Sequence, residues 1–266
     1  MQRQTFLITL LLLISAIGIK AQSLVAHKGK VKDGYNFWLY QPKEINTPKH
    51  VVIFLHGASL CGRDMNKVRR YGTIDAVEKG RQIEAFVLAP QNPGGAWKPE
   101  KVMNVLDWVK ANHKVDTTRI YVLGMSLGGY GTIDFATTYP DKVTAAMAFC
   151  GGGTKKDYST LTQVPLWIVH GTADRAVSVK QSDIVVNAMK KCEGGAPRLH
   201  YDRIAGMNHS APARIFYMKE CYEWLFEHCL TDSARTVAPK FTISNQTLRT
   251  AYRDLSSRKQ IGLIKH

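Results

Sequence analysis

The stretch RIYVLGMSLGGYGT, residues 119–132, begins as an apolar run and continues as a tract rich in glycine. Gly124 and Gly128 stand two residues before and two residues after Ser126, in the pattern G-x-S-x-G. A residue at the tip of a sharp strand-to-helix turn has a strained backbone, and bulky neighbours at these two positions would collide with adjacent elements. Glycine removes that collision. The stretch therefore predicts a strand, a tight turn that exposes Ser126, and a helix beginning at the next residue.

The rest of the chain repeats this alternation of strand and helix. Short apolar runs predict buried strands at residues 51–55, 86–89, 120–123, 143–149 and 166–169, with a more polar strand at 199–204. Helical patterns lie between them, at residues 73–79, 99–113, 127–139, 179–191 and 213–229. Runs that are apolar on both faces suit parallel strands covered by helices on each side. We therefore predict an α/β fold, a doubly wound and mostly parallel sheet with helices on both faces and no large cap domain.

The two ends of the chain differ from its middle. Residues 1–21 combine an early cation, a short apolar core and a small residue at Ala21, which is typical of a cleaved secretory signal peptide. An uncleaved anchor is the less favoured alternative, because the apolar core falls short of the ~20 residues of a spanning helix. Residues 22–230 are expected to form a single catalytic domain. It starts with a hairpin that turns at Lys32-Asp33-Gly34. Residues 231–266 are a polar, basic tail, either packed on the outside or partly disordered.

Charge and cysteine content limit the expected partners. The chain has 36 Lys and Arg against 21 Asp and Glu, a formal net charge of +15, which favours anionic neighbours. The cations are scattered, so we expect a solvated surface and no nucleic-acid partner. No apolar run comparable to the one in residues 1–21 follows, so we expect no membrane span and a mature chain that is secreted or periplasmic. Five cysteines in an exported chain permit up to two disulfides, and their spacing fits no metal motif. The pairing and the oligomeric state stay open, and the cysteines are Cys61, Cys150, Cys192, Cys221 and Cys229.

Ser126 needs partners before its hydroxyl can act as a nucleophile, because a base must take the proton and an acid must orient the base. On a sheet of this kind these partners lie in loops after later strands, acid first and histidine second. Asp174 follows the strand at 166–169, and His209 follows the last strand. We therefore predict a catalytic set of Ser126, Asp174 and His209.

Rival residues exist for the acid and for the base. Asp157 follows the preceding strand, whereas Asp202 would point from within a strand, so both are less favoured than Asp174. Three other histidines lie inside strands, at strand ends or at the end of a helix, where structural roles are expected. These histidines are His170, His200 and His228.

Two backbone N–H groups are expected to stabilise the oxyanion of a reacting carbonyl. Leu127 follows the nucleophile and supplies the first. Ala58 supplies the second, with Ser59 in reserve, because Gly57 lets the loop after the strand at 51–55 turn close to the reacting carbon. His56 is expected to brace this loop.

Residues of the cleft rim are predicted from the loop APQNPGGAWKPE, which follows the strand at 86–89. Trp97 either stacks on a sugar or aryl ring of the substrate or packs within its loop. Ser59 is the other predicted substrate contact. Lys98 and Arg175 either meet an anionic acyl group or are simply solvated, and solvation is favoured for both.

Four segments taken together resemble the α/β-hydrolase superfamily over residues 51–229, and they read FLHGASLCGRD, GMSLGGYGT, HGTADRAV and GMNHSAP. The combination is similar to the exported esterases related to prolyl oligopeptidase catalytic domains and to feruloyl and acetyl-xylan esterases. The resemblance implies hydrolysis of a small-molecule or polysaccharide-linked ester through an acyl-enzyme on Ser126, without a cofactor or metal. Ser178 and Ile133 depart from the pattern, since relatives often carry proline and tryptophan there.

Other functions remain open from the sequence. A general carboxylesterase, a lysophospholipase or a small-peptide serine hydrolase would use the same three side chains. A binding protein that kept the fold without turnover is less favoured, because Ser126, Asp174 and His209 are all present.

Overall fold

The computed structural model describes residues 22–260 and 264–265. The predicted signal peptide at residues 1–21 lies outside the described residues. Within them, no helix combines the length and apolar character needed to cross a membrane. The strands are β1 (Ser23–His27), β2 (Asn36–Gln41), β3 (Lys49–Leu55), β4 (Ala85–Gln91), β5 (Val115–Met125), β6 (Ala145–Phe149), β7 (Leu166–Gly171), β8 (Leu199–Ile204) and β9 (Ile264–Lys265).

All nine strands belong to one sheet, in the order β8-β7-β6-β5-β3-β4-β2-β1-β9. The six strands from β8 to β4 in this order run parallel. β2 pairs antiparallel with both β4 and β1, and β9 pairs parallel with β1. The α/β fold with a mostly parallel sheet is therefore confirmed. The connection from β3 leads to β4 on one side, whereas the connection from the adjacent strand β5 leads to β6 on the other side, so a crevice opens between the carboxyl ends of β3 and β5.

Alternate residues of β3 show why the central strands are apolar on both faces. Val51, Ile53 and Leu55 belong to a core that packs against α2 (Pro99–Asn112), α3 (Leu127–Thr138) and α4 (Lys180–Lys191). Val52 and Phe54 belong to a second core on the other face, against α1 (Thr73–Glu78) and α5 (Lys219–Phe226). Helices thus cover both faces of the sheet, as the apolar runs predict.

The helix predicted at residues 213–229 is wrong as one continuous element. A 3-10 helix spans Ala211–Tyr217, and α5 begins only at Lys219. Met218 between them is extended, with φ −82° and ψ 131°. The carbonyl of Tyr217 accepts a hydrogen bond from the Arg81 guanidinium, 3.0 Å from Nε, instead of one from the next helical turn. A tertiary contact therefore divides this segment.

The segment after residue 230 packs against the body of the molecule as far as residue 260. Ile243, Leu248 and Ala251 are buried in the same core as α1 and α5. α6 (Asn245–Arg249) carries Leu248, and the Ser244 hydroxyl accepts from the Thr247 N–H at its start. All five cysteines are described, and all are unpaired. The division of the chain at residue 230 stays a prediction.

Candidate active site

Ser126 occupies the turn between β5 and α3 in a conformation that residues with side chains rarely adopt. Its φ is 58° and its ψ −122°. The Ser126 N–H donates to the Phe149 carbonyl at 2.8 Å, which ties the turn to β6. A Cβ added at Gly128 would overlap the backbone carbonyl of Leu55 in β3. Glycine at 128 is therefore required for α3 to approach the sheet closely while Ser126 stands at its edge.

The three residues of the predicted catalytic set meet above the carboxyl ends of the strands. His209 Nε2 lies 3.1 Å from Ser126 Oγ, and His209 Nδ1 lies 2.6 Å from Asp174 Oδ2. The imidazole side chain is 27 % exposed, whereas the carboxylate is fully buried. With a proton on Nδ1, His209 donates to the carboxylate and leaves Nε2 free to accept the serine proton.

Asp174 is held as a carboxylate by donors on both oxygens. Its Oδ1 accepts from the N–H groups of Ala176 and Val177, each at 2.8 Å. Burial raises the pKa of Asp174, but hydrogen bonds from Val177, His209 and Ala176 together hold it below its ordinary value. Asp174 is therefore negatively charged at neutral pH, as required of an acid that stabilises an imidazolium.

The rival acids are engaged elsewhere. Asp157 accepts from the N–H and the hydroxyl of Ser159, both at 2.8 Å, in an exposed turn. Asp202 accepts from the Trp167 indole at 2.8 Å and from His200 at 3.1 Å. Among the described residues neither carboxylate makes a hydrogen bond to His209, whereas Asp174 does.

The two predicted oxyanion donors both begin helices. Ala58 is the first residue of a 3-10 helix (Ala58–Leu60), and Leu127 is the first residue of α3. The N–H of a first helical residue has no partner within its own helix. Gly57 brings the loop against the serine, since a Cβ added there would lie 3.5 Å from Ser126 Cβ. The geometry leaves both N–H groups available, and their role remains a prediction.

A cavity of about 530 Å³ opens beside Ser126 and His209. Ser59 borders it, next to the phenol of Tyr71, whose oxygen is 3.5 Å from Ser59 Oγ. Tyr71 lies in the long loop between β3 and α1, and no motif in the sequence distinguishes it. The remaining wall is mostly apolar, formed by Ala58, Met125, Val177 and Ala213.

Trp97 does not reach this cavity, and the predicted stacking role is wrong. The side chain is buried, with 4 % of the residue exposed, and its indole N–H donates to the His56 carbonyl at 3.2 Å. It also fills the space against Gly131 in α3. The alternative, that Trp97 has a packing role, describes the structure, and its contacts reach His56 and α3 beyond its own loop.

His56 holds the loop that carries Ala58, as expected. Its Nδ1 lies 2.8 Å from the Gly57 carbonyl, and its Nε2 accepts from the Asn92 N–H at 3.0 Å. Burial lowers the pKa of His56 to about 4, so the ring is neutral at neutral pH. A neutral imidazole with its proton on Nδ1 satisfies both contacts.

Two residues near Asp174 were not predicted as part of the site. Cys150 directly follows β6 with φ 47°, and its Sγ lies within 4.8 Å of an Asp174 carboxylate oxygen. His170, expected to be structural, ends β7 and contacts the same carboxylate. The signal in the sequence was their position at strand ends beside the predicted acid.

Cys150, Asp174 and His209 each place one ligand-type atom within 4.8 Å of the others. These groups do not fit a metal site. Asp174 and His209 are already hydrogen-bonded to each other at 2.6 Å, and burial, the largest cause, raises the pKa of the Cys150 thiol. A metal binds the thiolate form of cysteine, and burial of Cys150 disfavours that form.

Comparisons with known proteins agree with the fold. A model of the dienelactone hydrolase family matches residues 92–209, a segment that includes Ser126, Asp174 and His209. Acetylxylan esterase A of Talaromyces purpureogenus is 22 % identical over 217 residues, covering 74 % of this chain and 54 % of that protein. Poly(3-hydroxyalkanoate) depolymerase C of Paucimonas lemoignei is 24 % identical over 168 residues, covering 56 % and 39 %. The chain spans about half or less of the length of these relatives.

Solved structures give the same result. A thermostable esterase superimposes with a TM-score of 0.65 and 24 % identity, covering 78 % of this chain and 63 % of that chain. The feruloyl esterase module of Clostridium thermocellum, complexed with sinapinate, gives a TM-score of 0.56 and 14 % identity, with coverage of 74 % and 86 %. The strand order and these likenesses establish the α/β-hydrolase fold.

Proposed function

We propose that this chain, which has the α/β-hydrolase fold, is an exported serine esterase that hydrolyses carbohydrate-linked or aryl carboxylic esters. The observation that carries the proposal is the continuous hydrogen-bonded line from Ser126 through His209 to Asp174, with separations of 3.1 and 2.6 Å. A serine with φ 58° at the head of this line is exposed to a cavity. Such an arrangement activates a hydroxyl for attack on a carbonyl carbon.

The reaction begins when His209 Nε2 takes the Ser126 proton as Oγ attacks the ester carbonyl. Asp174 keeps the proton of His209 on Nδ1 and stabilises the imidazolium that forms. The N–H groups of Leu127 and Ala58 receive the oxyanion. The alcohol leaves with the proton from His209, and an acyl group remains on Ser126. A water molecule, deprotonated by the same imidazole, then attacks the acyl carbon. The bond from this carbon to Ser126 Oγ breaks, His209 returns the proton to Oγ, and the acid is released.

The substrate class rests on the cavity and on the relatives. Apolar walls at Met125, Val177 and Ala213 suit an acyl chain or a ring, and Ser59 adds a hydroxyl at the border. Proteins similar to this chain bear the names acetylxylan esterase and feruloyl esterase, which denote cleavage of acetyl esters of xylan and of feruloyl esters. We therefore propose an ester of this type as the substrate, with no cofactor. The leader-like residues 1–21 support export to the periplasm or the medium.

A panel of esters tests the proposal. Initial rates are measured for acetyl, feruloyl, sugar-linked, long-chain acyl and polymeric hydroxyalkanoate esters, together with an aminoacyl amide. We expect the highest kcat/KM on acetyl, feruloyl or sugar-linked esters, and no turnover by Ser126→Ala. A preference for long acyl chains, the polymer or the amide would overturn the substrate class, and full activity of Ser126→Ala would overturn the mechanism.

A further inference from the structure

Asp174 contacts a second imidazole. His170, at the end of β7, places Nε2 3.2 Å from Asp174 Oδ2, the same oxygen that accepts from His209 Nδ1 at 2.6 Å. The His170 side chain is fully buried. One carboxylate oxygen therefore lies between two histidines, of which only His209 reaches Ser126.

The partners of His170 decide which of its nitrogens carries a proton. Nε2 faces two acceptors, Asp174 Oδ2 and the Val177 carbonyl at 3.0 Å, so it must be the donor. Nδ1 lies 2.8 Å from the hydroxyl of Ser182, in α4. That hydroxyl is able to donate to Nδ1 or to the Gly151 carbonyl, 2.7 Å away. Ser182 thus connects the ring to a helix and to the loop after β6.

The charge state of His170 matters because it sets the charge left on Asp174. The titratable groups that face His170 are Asp174 and His209, and Cys150 lies near the same carboxylate, with Sγ within 4.8 Å of one of its oxygens. Burial, the largest cause, lowers the pKa of His170. A neutral Nε2–H donor orients the carboxylate without neutralising it, so Asp174 stays negatively charged opposite the imidazolium of His209, although Oδ2 divides its hydrogen bonding between the two rings.

We propose that His170 is a positioning residue of the reaction, whose neutral Nε2–H holds Asp174 Oδ2 against His209 while Ser182 fixes the plane of the ring. The inference rests on the proposed esterase function. Oδ1 is already fixed by Ala176 and Val177, and His170 adds to Oδ2 a donor from outside the catalytic set, which constrains the rotation of the carboxylate when His209 moves or changes its proton. Loss of this donor lets Oδ2 move and concentrates its charge on His209 alone.

Kinetics of three variants test this role. His170→Leu removes the donor, and we expect kcat to fall on the order of 10- to 100-fold, by analogy with the hydrogen-bond partners that orient metal ligands. Without His170, Asp174 Oδ2 interacts with His209 alone and stabilises its protonated form more strongly. The acid limb of the kcat/KM profile should therefore move to higher pH. His170→Gln places an amide N–H near the position of Nε2 and should restore most of kcat. His200→Leu removes a histidine of β8 that contacts Asp202 instead, so it should leave kcat and the profile unchanged.

A His170→Leu protein that melts like the parent, with kcat within about twofold and an unmoved acid limb, rejects the positioning role, since the expected loss is at least tenfold. A second measurement needs neither turnover nor a variant of His170. Nitrogen-15 NMR of Ser126→Ala should show His170 neutral, protonated on Nε2 and unprotonated on Nδ1, at neutral pH. The opposite tautomer or an imidazolium overturns the inference. If the parent hydrolyses no ester, the proposed function fails. The NMR measurement of the His170 tautomer still tests whether its Nε2–H donates to Asp174.

Discussion

Ser126 holds a backbone conformation that is costly for any residue with a side chain, with φ 58°, and it does so where β5 ends. This strain was foreseeable, because two glycines at fixed spacing around one serine serve few other purposes. The partners were foreseeable as well, since a parallel sheet brings its carboxyl-end loops together in a known order. Asp174 and His209 are 35 residues apart, yet their side chains lie within 2.6 Å.

Other residues of the site could not be predicted at this scale. The indole ring of Trp97, in a loop at the cleft rim, suits stacking on a substrate ring. Its burial against His56 and Gly131 is visible only in the structure. Tyr71 lies in an irregular loop whose path no periodicity describes. The sequence places His170 correctly near the end of a strand. Its contact with Asp174 depends on the path of the loop after β7, in which the Val177 N–H donates to Asp174.

Asp174→Asn tests the role of the acid. The amide keeps the size of the side chain but no longer requires the proton of His209 on Nδ1, so the imidazole loses the tautomer that accepts from Ser126. By analogy with other Ser-His-Asp triads, we expect kcat to fall on the order of 10⁴-fold. Steady-state kinetics measure this loss, and Asp157→Asn, in an exposed turn, is the matched control. Equal effects of the two substitutions would contradict the assignment.

The lowered pKa of Asp174 also predicts a pH dependence of stability. A carboxyl whose pKa is lower in the folded state stabilises the fold above its unfolded pKa of about 3.9, and the contribution is lost as the pH falls through the folded value. The free energy of unfolding of the parent should therefore exceed that of Asp174→Asn near neutral pH, and the difference should shrink below about pH 4. Urea titrations at several pH values measure it, with Asp107→Asn as an exposed control. A difference that grows on acidification would show the opposite sign.

At the scale of elements, the strands were predicted better than the irregular segments. Residues 51–55 and 166–169 are buried on both faces, and continuous apolar runs report that directly. The 3-10 helix at Ala211–Tyr217 was predicted as part of a regular helix, because its apolar spacing matches one. The break at Met218 depends on Arg81, which lies more than a hundred residues away in the chain.

The close approach of α3 to β3 is a property of this pair of elements, and Gly128→Ala tests it. The added methyl group would overlap the Leu55 carbonyl, so α3 or β3 must move, at a cost of about 3 kcal/mol. Gly29→Ala, in the first hairpin, is the control: its φ is 62° with open space around it, so strain alone should cost about 1–2 kcal/mol. Chemical denaturation compares the two. A smaller loss for Gly128→Ala than for Gly29→Ala would contradict the packing account.

At the scale of the whole molecule, the tail was the least predictable part. Its basic composition left packing and disorder both open, and the structure shows Ile243, Leu248 and Ala251 buried up to residue 260. A few apolar residues in a polar segment give a weak pattern, because their partners lie on distant elements such as α1 and α5. We propose that the described part of this segment, residues 231–260, stabilises the domain without contributing to the reaction.

Leu248→Ala measures the contribution of the tail. Leu248 is 1 % exposed, and removing it should lower the free energy of unfolding by about 3 kcal/mol. For a chain of this size the Tm should fall by about 6–12 °C. Arg249→Ala, exposed on the same helix, should change stability by less than about 0.5 kcal/mol. Calorimetry compares the two variants, and a Leu248→Ala protein that melts with the parent would show that the tail does not stabilise the fold.

The central claim is that Ser126 is a nucleophile activated by His209, and covalent labelling tests it most directly. A fluorophosphonate reacts only with an activated serine, and peptide mass spectrometry identifies the labelled residue. We predict one label per chain, on the peptide containing Ser126, with no label on Ser126→Ala and strongly slowed labelling of His209→Ala. A folded parent that takes no label at Ser126, or that is labelled at another serine, would contradict the account.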